Sequence, residues 1–231
     1  MNPLLSIKNL TVAVGAKVLV NNVSLDVPQG KIVAIAGASG SGKTTIGLSI
    51  LRLLPPALSI TQGSIVFEDT ELLRLTDREM QSCRGARIGM VFQEPLSAFD
   101  PLFTVGLQLD EVLASHTKLS KQDRYKKILE TLSEVELPDP QRAYESFPHQ
   151  LSGGMRQRAM VAQAMVCGPS LIIADEPTSS LDITLQVKIM GLFVRLKKKN
   201  ISILLVSHDL DMIARLADET IVLQQSLEVF Q

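Results

Sequence analysis

Gly37-Ala38-Ser39-Gly40-Ser41-Gly42-Lys43-Thr44-Thr45 follows the spacing G-x-x-x-x-G-K-[ST], which suits a polyphosphate. Glycines let successive backbone N–H groups face one concavity, and a following helix adds its positive end. In such a loop Lys43 reaches the β- and γ-phosphates, and the Thr44 hydroxyl ligates Mg²⁺. A glycine-rich turn that binds nothing is the plain alternative, and lysine and threonine in register behind a strand argue against it. Asp175-Glu176 follows four apolar residues, the pattern of carboxylates at the exposed end of a buried strand. There Asp175 suits Mg²⁺, directly or through water, and Glu176 can polarise a water for attack on the γ-phosphate. An acidic pair at a strand end is ordinarily just solvated, and its coupling to the glycine loop reverses that reading. In Leu151-Ser152-Gly153-Gly154-Met155-Arg156-Gln157-Arg158, a hydroxyl and two glycines precede a helix. They form either a second anion site or a plain N-cap.

The elements that must hold these groups are readable around them. Lys31 to Ala36 is a short apolar run that reads as a buried parallel strand entering the glycine loop. Ile46, Ile50, Leu51, Leu53 and Leu54 predict a helix leaving it, stopped by Pro55-Pro56. Residues 4–12 and 18–27 read as antiparallel strands, since Val23, Leu25 and Val27 alternate with Ser24 and Asp26. Gly63 to Phe67 is a further strand, and Thr76-Asp77-Arg78-Glu79 is a capping box for a short helix closed by Gly85.

Ile88 to Phe92 is a buried strand that delivers Gln93 into a proline-bounded loop ending at Pro101. Helical spacing then runs from about 104 to 146, bounded by Leu137-Pro138-Asp139-Pro140 and Phe147-Pro148. A helix over 152–166, a strand over Leu171 to Ala174 and a helix capped by Asp182 and ending near Lys199 follow. The strand Ile201 to Val206 delivers Ser207-His208, and a short helix with one or two small strands ends the chain. This alternation predicts an α/β fold: a mainly parallel sheet flanked by helices, with an N-terminal antiparallel β subdomain and a helical insert. We expect one domain over 1–231, with a core at about 1–103 and 147–231 and the insert at about 104–146.

Composition narrows the function classes. The 231 residues carry a net charge of −1, and nothing suggests a nucleic-acid-binding face. Lys197-Lys198-Lys199 ends a predicted helix, where cations suit the dipole. Cys83 and Cys167 have no metal-ligand spacing, and a disulfide framework is not expected, which fits a reducing cytosol. No secretory signal is expected, and no apolar run approaches the 18 residues of a membrane span.

Taken in order, the glycine loop, Gln93, Leu151-Ser152-Gly153-Gly154, Asp175-Glu176, Ser180-Leu181-Asp182 and His208 resemble the nucleotide-binding domain of ATP-binding-cassette (ABC) transporters. The resemblance covers residue 4 to about 223 and makes these the Walker A loop, Q-loop, signature, Walker B with its catalytic glutamate, D-loop and H-loop. It implies a P-loop NTPase fold, ATP and Mg²⁺ as ligands, and Thr44, Gln93 and Asp175 around the metal. Glu176, His208 and Gln93 would be catalytic, and Ser152, Gly153, Gly154 and Asp182 would contact nucleotide. Two such domains would pair head to tail, the signature of one closing over the nucleotide of the other.

The stretches Phe92 to Pro101 and Phe147 to Arg158 look like the oligopeptide/dipeptide/nickel import subfamily. Met155 after the signature resembles the first of its two paired ATPases. That implies a heterodimer with a paralogous ATPase subunit, with a homodimer as the alternative, and two transmembrane permease subunits served by a solute-binding protein. Its place would be peripheral, on the cytoplasmic face of the inner membrane. Phe99, Leu102 and Phe103 around Pro101 are expected to meet the membrane subunits, or else to anchor the insert.

Two departures stand out. Val12 to Val18 lacks the aromatic residue that the family sets against adenine. The chain also runs through Gln224-Gln225-Ser226 to Gln231 without the glycine turn that leads many members into a further region. A soluble ABC protein acting on DNA or ribosomes would carry a long coiled coil or two tandem cassettes. A non-hydrolysing nucleotide-gated subunit would not need Lys43, Asp175, Glu176 and His208 together.

Overall fold

In the computed structural model, which describes residues 2–179 and 181–223, the chain opens on a hairpin of β1 (Leu5–Val14) and β2 (Lys17–Val27). It continues through β3 (Ile32–Gly37), α1 (Lys43–Ile50), β4 (Leu58–Phe67), β5 (Thr70–Glu71), α2 (Asp77–Cys83) and β6 (Ile88–Val91). Four helices follow before the signature: α3 (Pro95–Ala98), α4 (Val105–His116), α5 (Lys121–Glu134) and α6 (Pro140–Glu145). Then come α7 (Gly153–Met165), β7 (Leu171–Asp175), α8 (Ile183–Lys198), β8 (Ser202–Ser207), α9 (Leu210–Leu216) and β9 (Glu219–Leu223). The α/β class and the antiparallel N-terminal sheet are as the sequence predicts. Ser180 and the stretch Gln224-Gln225-Ser226 lie outside the described residues.

The described chain divides into two compact units, residues 2–80 with 196–223 and residues 81–195. In the first, β2, β1, β4 and β5 form an antiparallel sheet in that order. β3 is apolar and buried up to Gly37, and it pairs in parallel with β8 on one side and β9 on the other. β4 begins five residues before the predicted strand, at Leu58, and pairs with β1 along its whole length. Its first half is mostly exposed, so pairing rather than burial holds it, and no apolar alternation announced it.

α1 is shorter than predicted and ends at Ile50, before the prolines. Arg52 takes φ 52°, its N–H donates to Ser49 O, and Leu53 N–H donates to Leu48 O at 2.9 Å. This is a Schellman stop with arginine in the place that glycine usually marks. At the start of β3, Asp218 accepts from Lys197 Nζ (2.7 Å), Lys31 Nζ (3.3 Å) and Ile32 N–H (2.9 Å).

In the second unit β6 and β7 pair in parallel, with Val91 opposite Ala174. α4, α5 and α6 fill the predicted helical stretch, each opened by a side-chain cap at Thr104, Ser120 and Asp139. Arg124 grips Asp110 through two nitrogens at 2.7 and 3.0 Å, tying α5 to α4. The apolar residues beside Pro101 do not behave alike. Phe99 is 4% exposed, whereas Leu102 and Phe103 are 77% and 47% exposed. Phe99 is thus withdrawn from solvent, and of the three only Leu102 and Phe103 are exposed to meet a partner. Among the described residues no helix is long and apolar enough to cross a membrane.

Candidate functional site

The parallel register of the first unit decides where its chemistry lies. Ala36 on β3 stands opposite Ser207 on β8, so the glycine loop and His208 leave the carboxyl ends of adjacent strands. Ligands of open α/β sheets bind at that edge. The loop enters α1 through Gly42, at φ 89°. A Cβ there would lie 2.8 Å from Val20 Cγ2 and 3.0 Å from Leu19 O, so β2 backs the loop and only glycine fits.

Lys43 is 6% exposed, and its ammonium donates to the carbonyls of Gly37 and Ala38 at 2.8 Å each. These bonds hold the cation across its own loop. Ala38, Ser39, Gly40 and Thr44 are exposed, while Gly37, Gly42 and Thr45 are half-buried. Ser41 is buried, and its Oγ has no hydrogen-bond partner among the described residues. A buried hydroxyl normally finds a partner, and a phosphate oxygen is one that this loop can accept.

The second unit carries the other groups. Gln93 and Asp175 leave the ends of the paired strands β6 and β7; Gln93 is exposed and Asp175 is 4% exposed. Glu176 is 9% exposed and takes φ 46°. That left-handed conformation costs a non-glycine residue about 1–2 kcal/mol and commonly marks a functional turn. Both N–H and Oγ of Ser179 donate to Glu176 O, at 3.3 and 3.1 Å, and close the turn.

Ser152 caps α7 by accepting from Met155 N–H at 3.3 Å, so the plain-cap reading holds as geometry. Its own O–H remains a donor, and Ser152 and Gly153 are exposed at the positive helix end. Gly154 is buried, and a Cβ on it would lie 2.6 Å from Leu185 Cδ1 on α8. Asp182, as expected, caps α8 by accepting from Leu185 N–H at 3.0 Å. Arg158 on α7 donates to Gly154 O (3.2 Å) and Glu136 O (2.6 Å), and the Glu136 carboxylate pairs with Arg195 at 2.9 Å.

The structure thus brings the glycine loop and His208 together in one unit. In the other it groups Gln93, Asp175, Glu176, the signature helix and Asp182. Sequence reasoning missed Gln157, which is 1% exposed and donates through Nε2 to Pro177 O at 2.6 Å. Its signal was an amide at a helix position just ahead of the apolar run Ala159 to Ala162. Gln186 on α8, also unremarked, donates to Thr178 O at 3.3 Å.

Comparison with known proteins agrees with this geometry. The ABC transporter family model matches residues 20–179. The chain is 44% identical to the dipeptide transport ATP-binding protein DppD of Bacillus subtilis, covering 96% of this chain and 68% of that protein. It is 40% identical to the oligopeptide transport ATP-binding protein OppD of the same organism, covering 95% and 63%. Among solved structures, it superposes with a TM-score of 0.84 on the dimeric, post-hydrolysis ATP-binding cassette MJ0796 bound to ADP and Pi. That pair shares 32% identity over 96% of this chain and 94% of the other. Family, fold and loop chemistry converge, and the chain belongs to the ABC transporter family as an ATP-hydrolysing cassette.

Proposed function

We propose that this cassette energises a peptide importer. It would pair with a second ATPase subunit, a paralogous chain in the first instance, and dock on two permease subunits fed by a solute-binding protein. It would sit peripherally on the cytoplasmic face of the inner membrane. The names of the relatives DppD and OppD support a dipeptide or oligopeptide solute. Leu102 and Phe103 offer the permeases an exposed apolar contact beside the loop that follows Gln93.

The observation that carries the catalytic reading is the glycine loop, with the Lys43 ammonium held across it and a buried Ser41 hydroxyl that has no partner among the described residues. Backbone N–H groups from Gly37 to Thr45, the α1 N-terminus and Lys43 would neutralise the triphosphate. Thr44 and Asp175 would supply hard oxygen donors that suit Mg²⁺, with Gln93 as a further ligand. Bound there, the cation would withdraw charge from the β- and γ-phosphates.

Glu176 would accept a hydrogen bond from the attacking water, while His208 and Gln93 position that water and the γ-phosphate. The bond from the γ-phosphorus to its bridging oxygen breaks as the water oxygen bonds to phosphorus, leaving ADP and phosphate. Ser152, Gly153, Gly154 and Asp182 would face the nucleotide of the partner subunit. The test is Glu176→Gln, assayed with the partner subunits present. ATP binding should persist while turnover falls about 10²–10⁴-fold, the range for losing a positioned acid–base group. Turnover at the unmodified rate would reject the role.

A further inference from the structure

Within residues 81–195, the signature helix and the loop behind Glu176 are joined by one buried side chain. Gln157 lies one turn into α7 and is 1% exposed. Its Nε2 donates to Pro177 O at 2.6 Å, and its Oε1 is buried with no hydrogen-bond partner among the described residues. The reverse amide assignment would set two oxygens against each other, so the donor's identity follows from the contact.

Pro177 directly follows Glu176. Its ring fixes φ, so a pull on its carbonyl is taken up only through ψ at that residue and is otherwise passed to the Glu176–Pro177 peptide. Glu176 is already left-handed at φ 46°, a conformation that its surroundings must enforce. A second, longer route runs in parallel. Gly154 packs against Leu185, and the next residue, Gln186, holds Thr178 O at 3.3 Å. Both routes begin at the helix that starts with Ser152-Gly153-Gly154 and end on the turn 176–179.

We infer that Gln157 is a positioning residue, which couples engagement of this chain's signature by the partner's nucleotide to the orientation of its own Glu176. The inference rests on the paired-cassette reading above. In that arrangement the signature serves one ATP and Glu176 the other, so a link inside one chain connects two sites. The coupling has a mechanical basis: α7 is a rigid helix, the amide contact is short, and the turn it reaches is held in a strained conformation. Engagement of the helix end shifts α7, and Gln157 carries that shift to the Pro177 carbonyl. The bond to Pro177 O is the one hydrogen bond that this buried amide is seen to make among the described residues, so the contact is what holds it in place.

The test replaces Gln157 with methionine, which keeps length and volume but removes both the donor and the orphaned acceptor. It is assayed in the intact complex beside Glu176→Gln. ATP affinity, KM for ATP and ATP-dependent closure of the pair should stay unchanged. The kcat should fall about three- to thirtyfold, the size of mutational effects along coupling networks, and cooperativity in ATP should be lost. Gln157→Leu, which likewise removes the donor, should show the same split.

Unchanged kcat and cooperativity with methionine, while Glu176→Gln is inactive, would overturn the inference and leave the catalytic reading standing. Wild-type turnover in Glu176→Gln would overturn the catalytic reading itself. Loss of ATP binding in both Gln157 variants would assign Gln157 to the core and also overturn the inference.

Discussion

Val14 closes β1 opposite Lys17, beside Gly15 at φ 55°, and is half-buried. Val12 is fully buried and can touch no ligand, while Val18 is 43% exposed. Only Val14 and Val18 of this stretch could therefore lie against a base. Because β2 backs the glycine loop at Gly42, the hairpin that carries them lies close to the phosphate site. A valine supplies dispersion and area but no π-face, and aromatic stacking on a base is worth about 1–3 kcal/mol. Triphosphate recognition does not depend on the base, so GTP should compete with ATP within about tenfold, the equivalent of 1.4 kcal/mol. Val14→Tyr should tighten ATP binding by a similar factor, read by displacement of a fluorescent nucleotide. A preference for ATP of several hundredfold in the unmodified protein would show that another residue reads the base. The glycine loop was plain in the sequence because its types and spacing are the chemistry. Gln157 was not, since its role depends on a carbonyl 20 residues away. Phe99 and Phe103 looked alike in sequence, and only burial separates them.

The elements meet at groups that gather several of them, and Asp218 is one such group. It joins the start of β3 to the end of α8 through Ile32 N–H, Lys31 and Lys197. Burial by itself would raise its pKa. The hydrogen bonds from Lys197, Ile32 and Lys31 outweigh that and hold the carboxyl below its ordinary value. A carboxylate depressed in the folded state adds stability that is fully present above the unfolded pKa and is lost as pH falls through the folded one. Asp218 is exposed to solvent, which screens these bonds, so Asp218→Asn should cost about 0.2–1 kcal/mol at neutral pH. The gap from wild type should close only in acid, below the usual carboxylate range. Denaturant unfolding of both proteins across that range measures it, and a gap that persists or widens in acid would contradict the assignment. Much at this scale was readable beforehand. The buried strands β3, β7 and β8, the capping box at Thr76 and Glu79, and the Asp182 cap all stand where apolar runs and cap residues put them. The misses were local. α1 ends at a left-handed arginine that carries no composition signal, and the outer half of β4 is held by backbone pairing that does not depend on side-chain pattern.

At the scale of the whole molecule, the open question is what makes two cassettes close. Ser152 and Gly153 are exposed at the positive end of α7, and a Cβ on Gly153 would meet nothing within 4 Å. A helix end of this kind gains from an anion placed against its N–H groups, and the gain is largest when closure excludes water. The net charge of −1 means that bulk repulsion between copies neither drives nor forbids association. On the proposed pairing, closure would draw its free energy from the γ-phosphate shared between one subunit's glycine loop and the other's signature, and it should disappear when that phosphate leaves. We expect the purified chain to be monomeric or loosely paired without nucleotide. With its partner and ATP it should close tightly, most durably in Glu176→Gln, and reopen when ADP replaces ATP. Light scattering across these states follows the mass directly. Lys43→Ala supplies the control, because it removes the cation held across the loop and should abolish ATP-driven closure. A tight closed homodimer that forms without nucleotide, or survives Lys43→Ala, would mean that some other surface of the cassette holds the pair. The anion at the signature helix would then be a passenger and not the cause of closure.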